Sequence, residues 1–162
     1  MAGHEKPIEG ATNVWLTPKW IIDALGPFDL DPCAAPEPRP FEIAPWTICP
    51  PDDGLKTAWM FGTHRAFAFV NPPYGRQTGA WLDKLAKHNY GIALVFARTE
   101  TPYMQRALRA AAARCFMAKR VTFLRPDGTP GPGNSGAPSM LLAFGDEASF
   151  RLRKSGIKGV YL

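Results

Sequence analysis

The stretch RAFAFVNPPYGRQ, residues 65–77, decides how the chain is read. Residues 66–70 are apolar without a break, and a strand-length run with no polar alternation is one covered on both faces. The run stops on Asn71, two prolines and Tyr74, and then passes through Gly75 into a segment of helical period. In that segment, residues 78–89, Trp81, Leu82, Leu85 and Ala86 share one face. Strand, stiff loop and helix in this order form half of a parallel-sheet unit, in which ligands bind at the carboxyl ends of the strands. Asn71 stands at such an end.

Working outward, the same alternation recurs. Residues 20–25 have the pattern of a short amphipathic helix, with Thr17 as its N-cap and Pro18 in its first turn. Residues 27–31 read as a strand turning at Pro32, and the proline-rich residues 34–54 leave room for a strand within 41–48. Strands are expected at 92–97, 115–118, 120–124 and 139–144, with a helix over 102–114 and a glycine- and proline-rich loop over 126–138. The pattern predicts an α/β fold with a largely parallel sheet. No internal repeat or second domain is visible, so residues 1–162 read as one domain with 1–13 as a flexible tail. The basic RLRKSGIK near the end reads as a solvated helix end.

The local chemistry of Asn-Pro-Pro-Tyr is specific. Pro72 restricts Asn71, and Pro73 restricts Pro72, to extended or polyproline angles, and neither proline carries an N–H. The expected result is a rigid loop with two free acceptors, the Asn71 side-chain oxygen and the Pro72 carbonyl. An exocyclic amine, with two N–H donors, fits between them. Tyr74 offers a ring for a planar base, worth roughly 1–3 kcal/mol where bases stack on aromatics. The plain structural alternative is a strand-ending turn in which Asn71 caps and Tyr74 packs.

Bulk composition narrows the classes further. Hydrophobic residues make up 46% and charged residues 20% of 162 residues, the profile of a folded globular domain. No run approaches the ~18 apolar residues of a membrane span, and the N-terminus lacks the apolar core of a secretory signal. Cys33, Cys49 and Cys115 match no zinc-ligand spacing and read as reduced thiols in a cytoplasmic protein. A formal net charge of +5 suits a polyanionic partner, although a mildly basic surface alone is the bland alternative.

Seven segments in chain order carry a resemblance. They are WLTP (15–18), FDLDPCA (28–34), DGLKTAW (53–59), FVNPPYG (69–75), ARTET (97–101), RVTF (120–123) and SGAPSMLLAF (135–144). Together they are similar to the phage-type DNA N6-adenine methyltransferases, Dam-like enzymes that use S-adenosylmethionine and are often encoded by phages or prophages. The resemblance implies a Rossmann-like methyltransferase sheet, mostly parallel with an antiparallel C-terminal hairpin and helices on both faces. It implies methyl transfer from S-adenosylmethionine to the exocyclic amine of a flipped adenine in DNA, inside a bacterial host cell, by a monomer or homodimer. Asn71, Pro72, Pro73 and Tyr74 are then catalytic. Trp15, Thr17, Pro18, Asp29, Asp31, Pro32, Cys33, Asp53 and Asn71 are the cofactor candidates, with Trp59 a second ring able to cover the cofactor adenine. Core packing is the commoner role for both tryptophans, and a turn before proline is an equal reading of Asp31. The first loop lacks the glycine-rich GxG of many methyltransferases. His64, Arg65, Arg76, Gln77 and Arg125 are candidates for DNA phosphate, although such side chains are more often simply solvated.

Direct in-line transfer needs no nucleophilic cysteine and no metal. No separate target-recognition domain is expected, so sequence selectivity comes from loops, from a dimer, or is weak. The alternatives are an RNA-base or protein-glutamine methyltransferase sharing the NPPY motif, or an inactive basic DNA-binding module on the same frame.

Overall fold

The computed structural model describes residues 14–162, so the expected tail at 1–13 lies outside the described residues. The elements in chain order are α1 (Lys19–Leu25), β1 (Leu30–Asp31), β2 (Trp46–Thr47), β3 (Met60–Phe61), β4 (His64–Arg65), β5 (Ala68–Val70), α2 (Thr78–His88), β6 (Gly91–Phe96), α3 (Pro102–Ala110), β7 (Ala113–Met117), β8 (Ser139–Phe144), α4 (Asp146–Lys154) and β9 (Gly159–Tyr161).

Seven strands form one sheet in the order β2-β1-β5-β6-β8-β7-β9, while β3 and β4 make a separate antiparallel hairpin. The β2–β1, β1–β5 and β5–β6 ladders are parallel; β6–β8, β8–β7 and β7–β9 are antiparallel. Strands β2, β1, β5, β6 and β7 therefore share one direction, and only β8 and β9 oppose it. This is the mostly parallel sheet with an antiparallel C-terminal part that the sequence led us to expect.

The apolar runs are continuous because helices cover both faces. Phe67, Phe69, Ile92, Leu94, Leu141 and Ala143 point to one side and pack with Ile21, Ile22 and Leu25 of α1 and Ala148 and Leu152 of α4. Their neighbours Ala68, Val70, Ala93, Val95, Met140 and Leu142 point to the other and pack with Trp81, Leu82 and Leu85 of α2 and Met104 and Ala107 of α3. Each buried Leu, Ile, Val or Phe contributes about 1.5–3 kcal/mol relative to exposure. No helix among the described residues is long and apolar enough to cross a membrane.

Three sequence expectations change. Thr17 does not cap α1: Pro18 takes the N-cap position, without a side-chain cap bond, and the Thr17 hydroxyl is used elsewhere. Helix α3 stops at Ala110, because Ala113 and Cys115 are needed in the sheet beside β8. Residues 120–124 form no strand beyond isolated bridges of Leu124 to Leu16 and Pro130; the alternation of Val121 and Phe123 reflects core packing. The final basic segment contributes the last turn of α4, where Arg151, Arg153 and Lys154 oppose Asp146 and Glu147 of the first turn, as the helix dipole favours. Strand β9 follows it.

Candidate active site

A cavity of about 660 Å³ opens at the carboxyl ends of β1 and β5, where Asp31 and Asn71 lie. Asn71 joins three segments that are far apart in sequence. Its side-chain Nδ2 donates to Thr17 Oγ1 at 3.0 Å, and its backbone carbonyl accepts from the Cys33 thiol at 3.3 Å. The N-terminal segment and the loop after β1 are thereby tied to the end of β5. Asn71 Oδ1 is buried and, among the described residues, has no hydrogen-bond partner. An orphaned buried acceptor is costly, of the order of 1–3 kcal/mol, and this one borders the cavity.

The two prolines act differently from one another. Pro72 is buried, and among the described residues its carbonyl accepts no bond. The Pro73 carbonyl is satisfied by the Thr78 hydroxyl at 3.2 Å, and Thr78 Oγ1 in turn accepts the Gly75 N–H at 3.0 Å. Of the two proline carbonyls, only that of Pro72 is left open among the described residues. Gly75 sits at φ 141°, where a side chain would be strained, so the loop can turn back into α2 only at a glycine. The Tyr74 ring stacks on Phe96, with centroids 4.1 Å apart and planes at 10°, yet remains 45% exposed. One ring face is occupied and the other is open. Desolvation of its hydroxyl, aided by Cys33 and Tyr103, raises its pKa above the ordinary phenol value.

Asp31 ends β1 and is only 6% exposed. Its Oδ1 accepts the Cys33 N–H at 3.2 Å, and Arg39 lies near enough to favour the charged form. Burial outweighs both, and its pKa is pushed up to about 7. The Cys33 thiol is raised well above its ordinary value, by burial first and by the Asp31 charge second. Asp53, also on the cavity, accepts from Leu55 N at 2.9 Å and pairs with Lys56 at 3.3 Å. Its carboxyl is held below the ordinary range, chiefly by the Leu55 bond.

Of the residues expected at the site, Trp15, Thr17, Asp31, Pro32, Cys33, Asp53, Asn71, Pro72, Pro73, Tyr74 and Gln77 all line this cavity. Three other cofactor candidates do not. Pro18 begins α1; Asp29 spends its carboxylate on the Phe67 N–H at 2.8 Å; Trp59 is buried against Trp81 and donates to the Gly54 carbonyl at 2.9 Å. His64 and Arg65 do not flank the Asn71 loop: they lie in the β3–β4 hairpin before β5, at the opposite end of that strand from Asn71. There Arg65 donates to the His88 and Asn89 carbonyls beyond α2. Arg125 is occupied by the turn it belongs to, donating to the Pro130 carbonyl at 3.0 Å. Arg76 is exposed beside the loop.

Three residues went unread in the sequence. Arg39 donates to the Ala35 carbonyl at 2.6 Å, to Thr47 at 3.0 Å and to both Glu42 oxygens at 2.9 Å, and so organises the proline-rich wall of the cavity. Lys84 donates to the carbonyls of Gly54, Leu55 and Thr57 at 3.0, 2.9 and 2.6 Å, clamping the turn that carries Asp53. Gly54 is pressed so close to the first loop that a Cβ would lie 1.9 Å from the Pro32 carbonyl oxygen. Only the glycine, inside the DGLK segment, left any trace in the sequence; nothing local marks Arg39 or Lys84 as holding a loop.

A family model described as DNA N-6-adenine-methyltransferase (Dam) matches residues 6–152. The chain belongs to that family. No curated protein and no solved structure matches it. In this Dam chain Gly54 makes a tight approach to the loop after β1, at the Pro32 carbonyl.

Proposed function

We propose that this chain transfers a methyl group from S-adenosylmethionine to the N6 amine of an adenine turned out of DNA. The observation that carries the reading is Asn71 on the wall of the cavity that Asp31 also lines: its side-chain amide is held by Thr17, its backbone by the Cys33 thiol, and its side-chain oxygen has no partner among the described residues. The donor set fits the cofactor. Asp31 and Asp53 are acceptors for an ammonium group, ribose hydroxyls or an adenine amine, and Trp15, 41% exposed on the cavity, offers a ring for a purine. When bound, S-adenosylmethionine supplies an electrophilic methyl on a sulfonium.

The chain's own residues position and polarise. Asn71 Oδ1 and the Pro72 carbonyl accept the two N–H groups of the target amine, directing its lone pair. As the N–C bond forms and the S–C bond breaks, the amine gains positive charge, which strengthens both bonds in the transition state. The open face of Tyr74 supports the extruded base, which cannot be reached within the duplex stack. Neither Tyr74 nor Cys33 is suited to act as a base, since desolvation raises both above their ordinary values. The surplus proton goes to water after transfer.

The deciding experiment is incubation with labelled S-adenosylmethionine and DNA, RNA or protein, followed by nucleoside and amino-acid analysis. The expected product is N6-methyladenine in DNA, lost in the Asn71→Ala variant while cofactor uptake by calorimetry persists. Label confined to RNA or to glutamine, or an Asn71→Ala protein with full activity, refutes the proposal.

A further inference from the structure

Beside the cavity runs a second cleft of about 440 Å³, lined by Trp20, Met117, Lys119, Arg120, Ser155 and Lys158 among others. It opens at the same end of the sheet. Phe96 pairs with Ser139, and Phe116 pairs with Met140, so the residues after Met117 emerge beside the end of β6 and next to the cavity. The two hollows share a wall. Leu16, Thr17 and Phe123 face the first, while Trp20, Arg120 and Thr122 face the second. Arg120 stands three residues before Phe123, at most about 10 Å of extended chain, or roughly three nucleotide steps of 3.4 Å.

Its chemistry is distinctive. Lys119, Arg120 and Lys158 are all exposed, and no carboxylate lines the cleft among the described residues. Among the described residues none of the three enters an ion pair. Arg120 makes only two long contacts, 3.5 Å each, to the Ser135 and Gly136 carbonyls. Asp23, the nearest acid on α1, is paired with Lys19 at 2.5 Å. Trp20, on the same cleft, is 53% exposed. Unpaired cations beside an open aromatic ring form the combination that tracks a nucleic-acid backbone and packs its sugars or bases.

We infer that this cleft grips the DNA backbone a few nucleotides from the adenine entering the cavity, an inference resting on the proposed function. Lys119, Arg120 and Lys158 neutralise phosphates, and Trp20 lies against a sugar or base. The Arg65, His64 and Arg125 positions contribute little, being distant or occupied.

The test is equilibrium binding of a ~24-base-pair duplex over a salt series, with cofactor uptake by calorimetry as the check on folding. Each phosphate contact contributes about 0.9 to the slope of log K against log salt. The combined Lys119→Gln, Arg120→Gln, Lys158→Gln variant is expected to flatten that slope by roughly 2 to 3 while taking up cofactor as the wild type does. If the combined variant folds poorly, Lys119→Gln and Lys158→Gln separately should each flatten it by roughly 1. Trp20→Ala should weaken binding roughly tenfold with an unchanged slope. A slope and affinity identical to wild type in the charge variants overturn the inference and leave the function standing. A wild-type chain that takes up cofactor but binds no DNA overturns both.

Discussion

Replacing Asp31 by asparagine should stabilise the protein above neutrality while weakening its hold on the cofactor. Asp31 is buried, and its burial outweighs the Cys33 N–H and the Arg39 charge, so its pKa stands at about 7 against an ordinary 3.8. Between those values the folded chain keeps a proton that the unfolded chain has released. Stability conferred by the neutral carboxyl is therefore full below about pH 4, falls as pH rises, and is gone above about pH 7. At ~1.4 kcal/mol per pH unit the loss is about 4 kcal/mol. Asparagine is neutral throughout, and its side-chain oxygen can still accept the Cys33 N–H. Urea unfolding at pH 4, 6 and 8 should show wild type and Asp31→Asn converging at low pH and separating by a few kcal/mol at pH 8, with the variant the more stable. A cation bound beside the carboxylate would relieve the burden, so wild-type cofactor affinity should rise with pH through neutrality and the variant's should not. Parallel stability curves for the two proteins at all pH values would refute the reasoning, because they would mean that Asp31 carries no ionisation penalty.

Two further outcomes follow from contacts at the cavity. Thr17→Val keeps the volume but removes the partner of Asn71 Nδ2, 3.0 Å away; loss of a bond worth about 1 kcal/mol in positioning should lower kcat roughly fivefold, with cofactor uptake nearly unchanged. Gly54→Ala would drive a Cβ to 1.9 Å from the Pro32 oxygen and 2.8 Å from Trp81 Cη2, so thermal unfolding should report a destabilisation of at least about 1–3 kcal/mol together with weakened cofactor binding; a variant as stable as wild type contradicts that packing.

What was legible in the sequence was whatever is encoded by neighbours along the chain. The unbroken apolar runs at β5, β6 and β8 announced strands buried on both faces, and the period of α2 announced a helix on one of them. The Asn-Pro-Pro-Tyr loop declared its own stiffness, because proline acts on the residue beside it. Misreadings arose where a local rule met a distant partner. Thr17 looked like a helix cap and is instead the support of Asn71, 54 residues away; Asp29 looked like a cofactor ligand and is bonded to Phe67. Arg65 lay close to Asn71 in sequence yet far from it in space, since an extended strand moves its two ends apart. Tertiary structure alone decided which acceptor stayed unpaired, which carboxyl lost its water, and which cations faced an open cleft. Each of these depends on groups brought together by the sheet from separate parts of the chain, and desolvation is a property of that assembly rather than of any segment.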